Sequence, residues 1–183
     1  MPDSRKWFEL GPFTVFDVET TGMSPSRDRI VELAAIRMET DGALSRFHHL
    51  VNPGRAIPRG VQTIHHISDE MVVNAPRFHE IGYNFLDFAE GSTLVGHNAR
   101  FDLGFLQESL YRESLPLWQG KTLDTLKLSR RVFKNLPGYS LQSLRRQFKL
   151  DAEGDDLAAH RAFADVEWTL RLLEKLFTEL LNQ

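Results

Sequence analysis

Residues 13–20 read Phe13-Thr14-Val15-Phe16-Asp17-Val18-Glu19-Thr20, an apolar, β-branched run with two carboxylates set inside it. Such a run predicts a strand. Because strand side chains alternate faces, Asp17 and Glu19 point one way while Phe16 and Val18 point the other. Acidic residues are depleted in strands, and two like charges about 7 Å apart on a half-buried surface repel and lose hydration. A divalent cation removes both objections, and hard oxygen ligands of this kind suit Mg²⁺ or Mn²⁺. An exposed strand end with two solvated acids serves as well for an isolated Asp-x-Glu, so the decision rests on whether further carboxylates converge on it.

Downstream, Thr21-Gly22-Met23-Ser24-Pro25 reads as a loop in which Gly22 leaves room for a turn or for close approach of a ligand. Residues 30–38 and 47–51 read as two more strands, joined by the turn signal Thr40-Asp41-Gly42, so the chain opens with an antiparallel meander. Residues 52–54 (Asn-Pro-Gly) close that section as a turn. Helical signals follow near residues 58–65, from Ser68, and over residues 77–89, where Phe78, Ile81, Phe85 and Phe88 form an apolar stripe. His65 and His66 fall at a loop or helix end, either half-exposed or able to stack on a base, with half-exposure the expectation for the pair.

Residues 93–96 predict a short buried strand, followed by His97-Asn98 and a helix over residues 99–112. With Asn98 as N-cap, Asp102 falls in or just after the first turn, where the positive end of the helix favours a carboxylate. A third acid at a strand-to-helix junction fits either a site or a simple helix-dipole partner. Asp124 opens a helix over residues 125–133, and capping suffices to explain it. A further helix starts at Ser140 and carries Arg145, Arg146 and Lys149, which read as a solvated face with the capacity to contact phosphates. The last helix runs over residues 162–181, with Ala162, Val166, Leu170, Leu173, Phe177 and Leu180 as its apolar stripe. Asp165 lies in its first turn. His160 lies just before it, and positions five apart on a regular helix diverge by about 140°. Both therefore face one site only if His160 is on the loop or in the very first turn.

Composition bounds the class. At 183 residues and 42% hydrophobic, the chain is long enough for one globular domain, and no repeat or linker marks a boundary within 1–183. It holds no run of about 18 apolar residues and no leader-like start, so a soluble, intracellular, cytoplasmic protein without membrane contact is expected. The absence of cysteine leaves only oxygen and nitrogen ligands for a metal. A net charge of −3 argues against nucleic-acid binding through a broad basic surface, though not against a small acidic site with basic flanks.

Taken together, FDVETTG (16–22), HNARFDLGFL (97–106) and HRAFAD (160–165) resemble the three motifs of the DnaQ-like, or DEDDh, 3′–5′ exonucleases, in order and over nearly the whole chain. The resemblance implies an α/β, ribonuclease H-like fold, a mixed sheet of about five strands flanked by helices. It implies that Asp17, Glu19, Asp102 and Asp165 hold two Mg²⁺ or Mn²⁺ ions while His160 activates water. The spacing of His160 to Asp165 matches the His subfamily, since Arg161 stands where the other subfamily has Tyr. It further implies a pocket for the terminal nucleoside around Thr20, Thr21 and Gly22, with Met23 or Phe101 wedging against bases; His66 and Asn98 complete the candidate substrate contacts. The implied partner is the 3′ end of a nucleic acid, single-stranded DNA being favoured and RNA remaining open through exoribonucleases of the same superfamily. A binding module that has lost catalysis would be expected to lack one of the five residues, and none is missing. The chain stops at Gln183, right after the last helix, without the extension by which family members engage a polymerase, so a polymerase partner stays open while autonomous action is expected.

Overall fold

A computed structural model describes residues 6–151 and 161–182. The stretch 13–20 forms β1 (Phe13–Thr20), paired antiparallel with β2 (Ile30–Met38), which pairs antiparallel with β3 (Leu44–Leu50). The β3 ladder therefore begins earlier than the predicted 47–51, because the turn at Gly42 (φ +90°) brings Leu44 directly opposite Met38. Two parallel strands complete the sheet, β4 (Thr93–Gly96) beside β1 and β5 (Thr122–Asp124) beside β4, in the order β3-β2-β1-β4-β5. Three residues are too few to show a period, which is why β5 has no signature in the sequence.

Short helices α1 (Arg59–His65) and α2 (Asp69–Val72) cover the end of β2, where Val31, Ile57, Ile67 and Val72 cluster. Helices α3 (Phe78–Ala89) and α4 (Arg100–Arg112) pack on one face of the sheet, against Phe16 and Val18 of β1. The opposite face carries Phe13 and Val15 and is covered by α7 (Ala162–Leu181). Since Asp17 and Glu19 alternate with Phe16 and Val18, they share the α7 face.

Helix α7 has the predicted bounds but two apolar stripes. Ala162, Val166, Leu170 and Leu173 meet the sheet, whereas Ala164, Trp168, Leu172 and Leu176 pack on α5 (Thr125–Val132) and α6 (Leu141–Phe148). Leu180, placed in the stripe by periodicity, is exposed, and Leu181 beside it packs against the sheet-face cluster instead. Arg145 does not lie on a solvated face: its guanidinium stacks 3.7 Å from the Trp168 ring centroid and pairs with Asp151 at 2.7 Å. Truncating fully buried Leu172 or Leu173 to Ala would cost about 2–5 kcal/mol. No helix among the described residues is long and apolar enough to cross a membrane.

Candidate active site

The site forms where β1 outruns its parallel neighbour. Strands β1 and β4 pair only through Phe13–Thr93, Thr14–Leu94 and Val15–Val95, so beyond Val15 the β1 backbone loses its partner on that side. The freed N–H of Val18 donates instead to Oδ1 of Asp102 at 3.2 Å, drawing the first turn of α4 up to the strand between Asp17 and Glu19. On the other face, packing of Ala162 and Val166 against β1 and β2 seats the first turn of α7, and with it Asp165, over the same two acids.

Asp17, Glu19 and Asp165 each offer a carboxylate oxygen, and these oxygens lie within 4.8 Å of one another. Asp102 is 3% exposed and borders this cluster. Burial, and then the charges of Asp102, Asp165, Glu19 and Glu32, push Asp17 well above the usual carboxylate range. Glu19 is pushed up to about 9 by burial and by Asp165, Glu32 and Asp102, with Arg161 opposing. Burial pushes Asp102 up to about 7, although the amides of Val18 and of Asp102 itself favour its ionised form. So many acids cannot all ionise together in so small a volume. A divalent cation resolves that conflict, and an all-oxygen donor set fits a hard ion.

The neighbouring loop is shaped by Asp28. Its carboxylate accepts from Ser24 N–H at 2.9 Å and from the Thr21 hydroxyl at 3.5 Å. A Cβ on Gly22 would lie 2.5 Å from Asp28 Oδ2, so any side chain there would have to displace the Asp28 carboxylate. Thr20 and Thr21 are buried, the Thr20 hydroxyl donating to Gly22 O at 2.6 Å, whereas Met23 is 78% exposed beside them. Phe101 is half-buried and packs against Phe105, with ring centroids 5.0 Å apart.

Two expectations are corrected. Asn98 is not the α4 cap: it is exposed in the left-handed region (φ +66°), its backbone N–H donates to Asp124 Oδ1 at 3.1 Å, and Ala99 occupies the cap position with no side-chain bond. His65 and His66 are not both half-exposed. His66 is exposed at φ +58°, while His65 is buried to 1%, its Nδ1 accepting from Ile67 N–H at 3.0 Å. Burial pushes the His65 pKa down while the Thr20 backbone works the other way, so the buried His65 faces the end of β1 and the loop that follows it. Asp124 is a cap as expected, accepting from Leu126 N–H at 2.9 Å. His160 lies outside the described residues.

Sequence reasoning missed Glu32, which is fully buried on β2. The signal was there, since an acid inside Ile30-Val31-Glu32-Leu33-Ala34-Ala35-Ile36 is as anomalous as Asp17 in β1.

Carboxylates gathered where the central strand of a five-stranded mixed sheet ends define a nuclease of ribonuclease H-like fold. The chain belongs to the RNase_T exonuclease family, which matches residues 14–173, and it is a 3′–5′ exonuclease. It is 42% identical to the DNA polymerase III subunit epsilon of Treponema pallidum (strain Nichols) over 92% of this chain and 76% of that protein. It is 37% identical to the 3′-5′ exonuclease DinG of Bacillus subtilis (strain 168) over 90% of this chain but only 18% of that much longer protein. Among solved structures, Exonuclease X in complex with 5′ overhanging duplex DNA superposes with a TM-score of 0.70 at 31% identity, covering 91% of each chain.

Proposed function

We propose that this exonuclease acts with two divalent cations, Mg²⁺ or Mn²⁺, and releases nucleoside 5′-monophosphates from the 3′ ends of single-stranded DNA. The observation that carries the reading is the mutual approach of Asp17, Glu19 and Asp165, with Asp102 at their side. DNA as substrate is supported by the relative named as a DNA polymerase subunit and by the DNA held by Exonuclease X. The first of these also supports a polymerase as a partner.

Asp17, Glu19, Asp102 and Asp165 would hold the cations. When bound, these supply positive charge against the scissile phosphate and make an attacking water more acidic. His160 accepts the proton of that water, its ordinary pKa near 6.5 suiting a base at neutral pH. The backbone of residues 20–22 receives the terminal nucleoside, and exposed Met23 offers a flexible apolar wedge for a base. Phe101, His66 and Asn98 are the outer candidates for substrate contact.

Labelled single-stranded DNA and RNA of equal sequence, each with a free or blocked 3′ end, test the reading. Metal-dependent release of 5′-monophosphates from free DNA 3′ ends is expected. Equal degradation of 3′-blocked strands, or full activity in EDTA, would overturn it, and faster degradation of RNA would move the substrate to the ribonuclease side.

A further inference from the structure

We infer that Glu32 and Arg161 form a clamp that positions the carboxylate cluster without belonging to it, an inference that rests on the reading of that cluster as a metal centre. Glu32 stands directly opposite Glu19 in the β1–β2 ladder. The register slips just beyond this pair, Thr20 facing Ile30, so that Val31 is extra and β2 bends at the site. Both oxygens of Glu32 are already committed. Oε1 accepts from Arg161 Nη2 at 2.8 Å and lies 2.8 Å from His48 Nε2, while Oε2 accepts from Arg161 Nε at 3.2 Å and from the Ala162 N–H at 3.0 Å. With those partners in place, Glu32 has little left to offer a cation.

What these bonds hold is the start of α7. The Ala162 amide is the first of the helix and has no partner within it. Arg161 immediately precedes it, and the Arg161 carbonyl accepts from the Asp165 N–H at 3.1 Å, the turn that presents the Asp165 carboxylate. One buried carboxylate thus ties the β2 neighbour of Glu19 to the helix turn of Asp165, and so sets the distance between ligands contributed by two elements. Arg161 is also the residue covalently joined to His160, the candidate base. The fork matters because two parallel N–H bonds fix the orientation of the guanidinium, which a single ammonium would leave free to swing.

The test uses Arg161→Lys, which keeps the charge and removes the fork, and Glu32→Gln, which keeps the shape and removes the charge. Mg²⁺ affinity is measured by calorimetry, kcat and KM on single-stranded DNA, and unfolding midpoints in EDTA, all binding being done well below every midpoint. We expect each variant to lose about 10- to 100-fold in metal affinity or kcat, the range typical of groups that orient metal ligands, with KM for DNA little changed. Arg46→Ala is the control, since Arg46 also reaches α7, through Glu167 at 3.1 Å, but from an exposed position; it should leave both quantities unaltered. Should Glu32→Gln fail to fold, the uncharged pair Glu32→Gln with Arg161→Met takes its place, and it should recover stability without recovering metal affinity. Wild-type metal affinity and kcat in Arg161→Lys, or affinity lost only in proportion to the unfolded fraction, would overturn the clamp alone. Wild-type protein that binds no Mg²⁺ would overturn the metal-centre reading and the clamp with it.

Discussion

Glu19 and Glu32 face each other directly across the antiparallel β1–β2 ladder, two acids on one face of a sheet, yet their charge states diverge. Burial and neighbouring carboxylates push Glu19 up to about 9. Glu32 suffers burial too, but hydrogen bonds from His48, Arg161 and the Ala162 amide hold it down to about 2. Like charges opposed in a ladder are destabilising unless one is compensated, and among the described residues the hydrogen bonds fall on Glu32, while Glu19 has only the opposing charge of Arg161. On the proposed reading, that leaves Glu19 for a cation.

That asymmetry predicts how metal-free stability varies with pH. The Glu19 pKa is raised on folding, so its contribution is complete below the ordinary glutamate value near 4.5 and is lost as pH rises through about 9. Asp102 acts with the same sign, losing its contribution as pH rises from near 3.8 through about 7. Glu32 has the opposite sign: its contribution is present above about 4.5 and is lost as pH falls toward about 2. In EDTA, the unfolding midpoint should therefore fall on both sides of mildly acidic pH. Saturating Mg²⁺ should flatten the alkaline limb, and thermal scans at stepped pH in both buffers check this. An alkaline limb unchanged by Mg²⁺ would contradict it.

Removing one crowded acid should separate stability from function. Asp17→Ala or Asp165→Ala is expected to abolish exonuclease activity and weaken metal binding, while the metal-free fold stays intact or gains stability from relief of like-charge repulsion. Calorimetric titration and an EDTA melt on the same preparation read both effects. A large fall in the EDTA midpoint would show that the carboxylates support the fold instead.

Asp124 is the contrasting acid. Its Oδ1 caps α5 through Leu126 N–H and also takes the Asn98 N–H, so Asp124→Ala should cost about 1 kcal/mol of stability with metal affinity unchanged. Denaturant unfolding beside a metal titration checks it; metal affinity lost as in Asp17→Ala would put Asp124 among the ligands.

Gly22→Ala should act on substrate, not on metal. The added methyl meets the Asp28 carboxylate, which itself holds Ser24 and Thr21, so the residue 20–24 loop must shift. A raised KM for single-stranded DNA with unaltered Mg²⁺ affinity is expected from steady-state kinetics and calorimetry. An unaltered KM would remove this loop from the nucleotide pocket.

How far the chain could be read follows from the range of the forces involved. β1, β2 and the bounds of α7 are written in local periodicity, and Asp17 and Glu19 betray themselves as acids out of place in an apolar strand, whereas Asp165, an ordinary acid in a first helical turn, stands out only through the family resemblance. What escaped is what long-range packing decides. The second stripe of α7, centred on Trp168, has meaning only once α5 and α6 fold over it. The choice between His65 and His66 turns on one left-handed residue ending α1, and local pattern does not show which imidazole the turn sends inward. Asn98 has the chemistry of a cap, but Asp124, 26 positions away, claims its backbone and sets it one place too early. Glu32 was legible by the rule that found Asp17, yet its partners Arg161 and Ala162 are about 130 positions distant and leave no local trace.

His160 is the residue that distinguishes a catalyst from a domain that merely binds metal. A general base must be neutral to work, so at saturating metal kcat should rise with pH through a value near the ordinary imidazole pKa and then level off. His160→Ala should lower kcat by about 10²- to 10⁴-fold with little loss of metal affinity, because Asp17, Glu19, Asp102 and Asp165 remain. His160→Gln can still hydrogen-bond a water but cannot accept its proton, so it should stay slow and lose the rising limb. The carboxylates also titrate, and with their pKa values pushed upward they lose protons more readily once a cation is bound. Metal must for that reason be saturating at every pH, with binding measured in parallel, before the limb is assigned to an imidazole. A His160→Ala variant with wild-type kcat and an unchanged pH profile would show that His160 takes no proton, and the base would then have to be sought elsewhere around the cluster.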